Sequence, residues 1–362
     1  MYQECFDSAT KDQDQEEHII SQTNFKCLGN VTSFKLDDDL LNSGNLRFSG
    51  TDNGLVTMTE TVVFTMDRFL YHLNLHRQQA SPATGSISLH ANQVPAFLKM
   101  PKSFGVHGTD ISYGSGARAL EAHTRKLKFK SSSRMFDVEA DLSSVSLSDV
   151  NTIDELLVWE NKQFSRAEEV RSFYNSAHLA KKKRQYELRK RKFIDKLCSA
   201  ERNHCIVEED KRLKRLVMFV GDRGLGIGSR TKGFLRYGGH WKPKKNSLYS
   251  SVLYTNEHNT SQTCPYCFRK LSHPLRVVRD NDQTQVKTVK GAFICVNKDC
   301  ISVKSAHITH NRDTLSALVI GLAGVAQLVF GVTFPSFDAK TSFSRTDNFN
   351  KLADVFLNKK KI

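Results

Sequence analysis

The chain has 362 residues, 39% hydrophobic and 25% charged, enough apolar material for one large core or two smaller ones, which excludes a small disulfide scaffold and a wholly disordered chain. Lys and Arg number 53 against 38 Asp and Glu, a formal charge of +15 that favours a polyanionic partner over a cationic substrate. The first 40 residues hold nine acids and three lysines, so the rest of the chain carries +21. The N-terminus MYQECFDSATKDQDQEE has neither a basic nor an apolar signal region. The eight cysteines of the chain are therefore expected in a reducing, intracellular compartment and not in disulfides.

Residues 1–45 read as an acidic, partly disordered leader. From Leu46 a run of β-branched and aromatic residues, broken at Asn53-Gly54, predicts two or three strands with a hairpin. Residues 77–118 are rich in Ser and Gly and read as long loops or an insertion. Thr152 followed by Glu155 fits a capping box, and Leu156, Trp159, Gln163, Ala167, Val170 and Tyr174 keep helical spacing in a helical region extending to about 204. Within that region KKKRQYELRKRK places Lys181, Lys182, Lys183, Arg184, Arg189, Lys190, Arg191 and Lys192 around one acid, Glu187. Such a run is either a solvated helix face, a phosphate-binding surface or a nuclear import signal.

LVMFV, residues 216–220, has the length of a buried strand and ends in Gly221-Asp222 before a loop carrying Gly224, Gly226 and Gly228. That loop lacks a GKS/T ending, which argues against a nucleotide cradle. SVLYTNE, residues 251–257, is another strand candidate that stops on a carboxylate. Residues 315–334 are uncharged and long enough to span a membrane, but their glycines, Gln327 and the preceding Arg312-Asp313 fit a buried core helix, and no membrane is expected as a partner.

The strongest signal is a cysteine constellation. Cys264-x2-Cys267 and Cys295-x4-Cys300 are two knuckles separated by 27 residues. A tetrahedral Zn2+ takes four thiolates at about 2.3 Å, and each short knuckle supplies two from one turn, so a structural zinc with no open position for chemistry is expected. Three carboxylates stand out beside it: Asp52 at the end of the first strand, Glu257 before the first knuckle, and Asp313 after the second. Converging acids could hold two Mg2+ or Mn2+ ions for phosphodiester hydrolysis. Taken singly, Asp52 could be a turn residue, Glu257 a surface acid and Asp313 a helix N-cap.

Thr260-Ser261-Gln262-Thr263-Cys264-Pro265-Tyr266-Cys267, the second cysteine pair, and Asn311-Arg312-Asp313 with Ala317 resemble the C-terminal region of the TnpB and Fanzor transposon proteins, which are RNA-guided DNA endonucleases. The resemblance implies an α/β fold, an RNase H-like (RuvC) mixed sheet with a basic helical insertion and an inserted four-cysteine zinc ribbon. Gly50-Thr51-Asp52-Asn53-Gly54 is similar to the first RuvC motif, with Asn53 where proline is usual, and Asp313 to the aspartate of the third. The second-motif acid is implied at Glu257, with Asp222 in reserve.

The implied segments are a first part of the RuvC-like domain at 46–130, a basic helical insertion at 150–210, a second part at 211–260, a zinc ribbon at 261–305, a last segment at 306–335 and a C-terminal tail at 336–362. About 50 residues precede Asp52, so the nuclease half is expected without the domains that bind guide RNA and open target DNA. The implied partners are DNA, reached by Arg312 and the eight basic residues, and a guide RNA, in the nucleus. The rival expectation is a transposon-derived zinc-ribbon protein that binds nucleic acid and cuts nothing. A DDE-type transposase would share the metal chemistry without calling for the ribbon.

Overall fold

The computed structural model describes residues 27–28, 46–54, 57–80, 94–130, 134–206, 215–222, 241–280 and 283–359. It is a mixed α/β structure in two compact units, one drawn from Met1–His107 with Cys198–Ile362 and the other Gly108–Leu197. The elements in chain order are β1 (Cys27–Leu28), β2 (Leu46–Asp52), β3 (Thr57–Phe64), α1 (Met66–Ala80), α2 (Val94–Leu98), β4 (Ser103–His107), α3 (Gly108–Gly114), α4 (Ala117–Lys128), α5 (Met135–Ser143), α6 (Ile153–Tyr174) and α7 (Ala177–Cys205). They continue with β5 (Arg215–Gly221), α8 (Trp241–Asn246), β6 (Ser251–Thr255), β7 (Leu275–Asp280), β8 (Gln283–Thr288), β9 (Ala292–Ile294), α9 (Ile301–Lys304), β10 (Thr309–Asn311), α10 (Arg312–Phe330) and α11 (Phe343–Lys359).

The first unit is built on a six-stranded sheet of order β1-β6-β5-β2-β3-β4. β2, β5 and β6 run parallel, with Thr51 opposite Val220 and Gly221 opposite Thr255, whereas β3 and β4 pair antiparallel. One face is apolar at alternate positions: Phe48 of β2, Val217 and Phe219 of β5 and Leu253 of β6 join the core under α10. Leu216, Met218, Val220 and Val252 pack on the other face with Cys205.

α10 is long and apolar enough to cross a membrane, yet sixteen of its nineteen residues are buried within the protein. Glycine lets it lie close to the sheet. A Cβ on Gly50 would stand 1.9 Å from the Ala317 carbonyl oxygen and 2.6 Å from the Gly321 nitrogen, so any side chain there would push the helix off β2.

Several sequence expectations change here. Within 77–118, where long loops or an insertion were expected, residues 77–80 finish α1, Ser103–His107 is an edge strand, and α3 and the start of α4 follow. An edge strand with only Phe104 and Val106 apolar has too little alternation to announce itself; its backbone pairing with β3 defines it. The C-terminal tail is also ordered as α11, whose Phe349, Ala353, Phe356 and Leu357 enter the main core. Their spacing makes one apolar stripe that the polar residues between them conceal. Arg77 of α1 holds this helix through a bidentate pair with Asp354 at 2.7 and 2.6 Å. Cys27–Leu28 of the leader pairs with β6. The rest of the leader, and Gly224, Gly226 and Gly228, lie outside the described residues.

The second unit is helical. α6 begins on the expected capping box: Thr152 Oγ1 accepts from Glu155 N–H at 3.2 Å, and Glu155 returns to the Thr152 backbone. An interruption at Asn175 and Ser176 separates α6 from α7, so the helical region is two helices. Lys128 of α4, Glu139 of α5 and Tyr174 of α6 join in one hydrogen-bonded group.

Candidate functional site

The four knuckle cysteines are buried and their sulfurs lie within 4.8 Å of one another. Cys264 and Cys300 are 3.9 Å apart and Cys267 and Cys295 3.6 Å. A regular tetrahedron with metal–sulfur bonds of about 2.3 Å has sulfur–sulfur edges of about 3.8 Å, so this cluster has the size of a zinc site. The hydrogen bond to Cys267, aided by those to Cys295 and Cys300 and by burial, holds the Cys264 thiol far up, while the bond from Cys264 pulls Cys267 down. A divalent cation takes the place of thiol protons in such a cluster.

The turns that present the sulfurs are fixed from outside. In the first knuckle Phe268 N–H donates to Cys264 C=O at 2.8 Å, with Phe268 at φ 52°, a left-handed conformation for a bulky residue. Its ring, stacked on Phe334 at 5.4 Å and edge-on to His76 at 4.8 Å, keeps it there. α1 grips the same knuckle: His72 Nδ1 lies 2.9 Å from the Pro265 carbonyl oxygen, and Gln79 donates to the Tyr266 carbonyl at 3.0 Å. In the second knuckle Cys295 N–H donates to Ile308 and Cys300 N–H to Asn297.

Burial holds two histidines of α1 neutral, His72 at about 3 and His76 at about 4. The unfolded chain binds protons at these residues from about pH 6.5 downward and the folded chain does not, so stability falls as pH drops from about 6.5 towards 4, by up to about 1.4 kcal/mol per pH unit for each histidine. Urea unfolding measured across that window should show the decline. His76→Phe, in a box of Phe268, Phe334 and Phe349, should remove part of the slope; an unchanged slope would sink the assignment.

The carboxylates occupy one edge of the sheet. Asp52 ends β2, Asp222 follows β5 and Glu257 follows β6 by two residues, so all three stand at the C-terminal ends of adjacent parallel strands. Strand alternation separates them. Asp52 continues the Phe48 and Gly50 set that faces α10. Glu257 is buried, and its Oε1 would lie 1.8 Å from a Cβ on Gly221, so its carboxylate rests over the bare Cα of that residue. Gly221 continues the Val217 and Phe219 set on the α10 face. Asp222 continues the Met218 and Val220 set on the other face, and its Oδ1 accepts from Glu257 N–H at 3.3 Å.

Asp313 lies in the first turn of α10. The N-cap is Asn311, not Asp313: Asn311 Oδ1 accepts from Asp313 and Thr314 N–H, both at 3.0 Å. Asp313 Oδ1 is engaged by Arg312 at 2.8 Å. The four-cysteine segment links the acids, because Glu257 C=O accepts from Thr260 at the start of the first knuckle, and β10 of that segment runs directly into α10. Among the described residues the cysteines are the one group of three or more His, Cys, Asp or Glu side chains placed to share a metal.

Two features escaped the sequence. Glu60 is the cross-strand partner of Asp52, and Thr314 Oγ1 donates to it at 3.2 Å, which adds a carboxylate at the start of α10. Hairpin register could have found it, but the loop after Asp52 is longer than the Asn53-Gly54 signal suggests. The other feature is a buried polar cluster on the opposite face. Glu201 of α7 is fully buried and accepts from Lys242 Nζ at 2.5 Å, Thr61 Oγ1 at 2.5 Å and Asn246 Nδ2 at 2.8 Å. Thr61 bonds Thr51 at 2.9 Å, so the cluster braces the residue before Asp52. No spacing in the sequence pairs Glu201 with Lys242.

The eight basic residues of the run all lie on α7, and Arg312 is partly exposed at the N-terminus of α10. Compared with known proteins, the chain matches no protein-family model and no curated protein.

Proposed function

We propose that this protein is a metal-dependent DNA endonuclease of the TnpB/Fanzor type, with an RNase H-like (RuvC) core, a structural Zn2+ in its ribbon and Mg2+ or Mn2+ at the acidic edge. The observation that carries the reading is the placement of Asp52 and Glu257 at the C-terminal ends of β2 and β6, the parallel strands either side of β5, with the Glu257 carboxylate over Gly221 of β5 on the face covered by the helix that bears Asp313, and with the four-cysteine ribbon between the second and third acids. The mixed sheet and the helical unit between β4 and β5 support the fold assignment.

The residues fit the ions in kind: carboxylates offer the hard oxygens that Mg2+ prefers, and the bare Cα of Gly221 leaves Glu257 room that a side chain would fill. The ions would supply the charge that activates a water and stabilises the leaving oxygen in an in-line displacement on a DNA phosphate. Asp52, Glu257 and Asp313 would hold them. Asp313 must exchange its pair with Arg312 to do so, which frees the guanidinium to bind a phosphate. Sequence choice would be delegated to pairing with a guide RNA, in the nucleus.

The second reading is a transposon-derived protein that binds nucleic acid through its ribbon and basic helix without cutting. It is favoured by the Arg312–Asp313 pair and by acids less tightly gathered than the cysteines. Incubating the purified protein, with any RNA it carries, with single- and double-stranded DNA decides between them. Cleavage in Mg2+ or Mn2+ and none in Ca2+ is expected. Salt-sensitive binding that is indifferent to Mg2+, with intact DNA, would leave the binding reading in its place.

A further inference from the structure

The eight basic residues at 181–192 do not share a face, and the helical unit uses only two of them to line a groove. Helix α7 meets the segment from the end of α3 through α4 at three points. The Phe193 ring covers the bare Cα of Gly114, just before α4, and the Arg189 side chain passes over Gly116, whose added Cβ would stand 3.7 Å from Arg189 Cδ. At the other end His123 Nε2 and His178 Nε2 are 2.8 Å apart, one ring donating and the other accepting. Between these points the helices leave a cavity of about 170 Å³, lined by Gly116, Ala119 and Leu120 of the α4 side and by Lys182, Tyr186 and Arg189 of α7.

The chemistry of this groove is one-sided. Lys182, Tyr186 and Arg189 are four and three residues apart, one stripe of α7, and His178 extends it by one turn. No carboxylate lines the cavity. The nearby acid of α4, Glu121, is engaged by Arg118 and Arg125. On the opposing wall Gly116 and Ala119, beside Leu120 and His123, leave space where larger residues would interlock the helices. From His178 to Arg189 the stripe runs roughly 16 Å at a rise of 1.5 Å per residue, longer than one phosphate needs.

We propose that the α4–α7 groove binds the phosphodiester backbone of a single-stranded nucleic acid, with Lys182 and Arg189 pairing to phosphates and Tyr186 and the His123–His178 pair offering aromatic and hydrogen-bonding surface to the nucleotides. A concave channel between neighbouring helices admits one strand. A duplex instead offers grooves that receive a convex helix, so it cannot seat here. Aromatic rings beside a basic track are the features that hold unpaired strands with little regard to sequence. The proposal deepens the nucleic-acid reading above and rests on its polyanion partner, not on its cleavage chemistry. Arg184 and Arg191 project from the opposite face of α7 and are exposed, which supplies a control of equal charge.

The test is fluorescence anisotropy of short labelled oligo(U), oligo(dT) and a duplex of matching length, with the full chain, across a salt series and without added Mg2+. Wild-type protein should prefer both single strands to the duplex. Lys182→Ala with Arg189→Ala should weaken single-strand binding about tenfold or more and lower the slope of log K against log salt by about 1.4, the loss of two phosphate contacts. Arg184→Ala with Arg191→Ala removes the same charge and should change affinity less than about threefold. Equal losses for the two pairs would reduce the groove to general basicity, and a preference for the duplex would overturn it. Because no cleavage enters the readout, a chain that binds in this way and never cuts retires the nuclease reading and keeps the groove.

Discussion

Replacing Cys264 with Ser is expected to abolish stoichiometric zinc binding and to unfold the ribbon around β9 and β10, with damage reaching α10. The sulfur edges of 3.6 and 3.9 Å suit one tetrahedral ion, and three thiolates with a hydroxyl hold Zn2+ far less tightly. Apparent zinc-binding energies in small metal-folded modules are about 10–16 kcal/mol near pH 7, which sets a ceiling; a loss of several kcal/mol is expected because the ribbon is also held by His72, Gln79 and Tyr266. Removing the ion leaves four buried thiols in a space shaped for an ion. Metal analysis should give one zinc per wild-type chain and near none in the variant. Hydrogen exchange should show lost protection at Ala292–Ile294 and Thr309–Asn311, the paired strands that lead into α10. Wild-type protein prepared with zinc that carries none, or a variant with unchanged protection, would overturn the zinc assignment.

Asp52→Ala and Asp313→Ala should each lower Mg2+-dependent DNA cleavage by about a thousandfold or more, roughly 4 kcal/mol of transition-state stabilisation, with DNA binding preserved. Glu257→Gln should do the same, because it keeps the volume over Gly221 and removes the charge. Asp222→Asn is the discriminating variant. Its carboxylate belongs to the other face of the sheet and accepts the Glu257 N–H, so its loss should cost only about tenfold through the position of Glu257. If Asp222→Asn proves as damaging as the others while Glu257→Gln is tolerated, the second acid has been misassigned. If none of the four changes a cleavage activity that is present, the metal centre lies elsewhere in the chain.

Most of the elements that frame the site were legible as patterns. The strands at Leu46, at LVMFV and at SVLYT, the capping box at Thr152 and the buried character of 315–330 each follow from periodicity or a local hydrogen bond, and each is present. Less legible were elements whose stabilisation comes from elsewhere. β4 is defined by its backbone ladder with β3, and α11 by an apolar stripe that only the ring cluster of Phe330 and Phe334 makes useful. Glu201 and Lys242 carry no mark in the sequence, because a charge expected in water becomes a buried partner only when two distant segments pack together.

The sequence by itself determined the cysteine centre, since two knuckles of two and four intervening residues each close within one turn and need only to meet once. It also determined that Asp52, Asp222 and Glu257 stand at or just past strand ends. Which of them share a face is a property of the tertiary structure. A strand shifted by one residue turns every side chain over, and the register that sets Gly221 between Asp52 and Glu257 comes from the pairing of β2, β5 and β6 and from the glycines that let α10 rest on them. The same holds for the basic run: its charge was written in the sequence, but only the packing of α4 opposite it, with Gly116 and Ala119 leaving space, makes two of its eight cations line a groove.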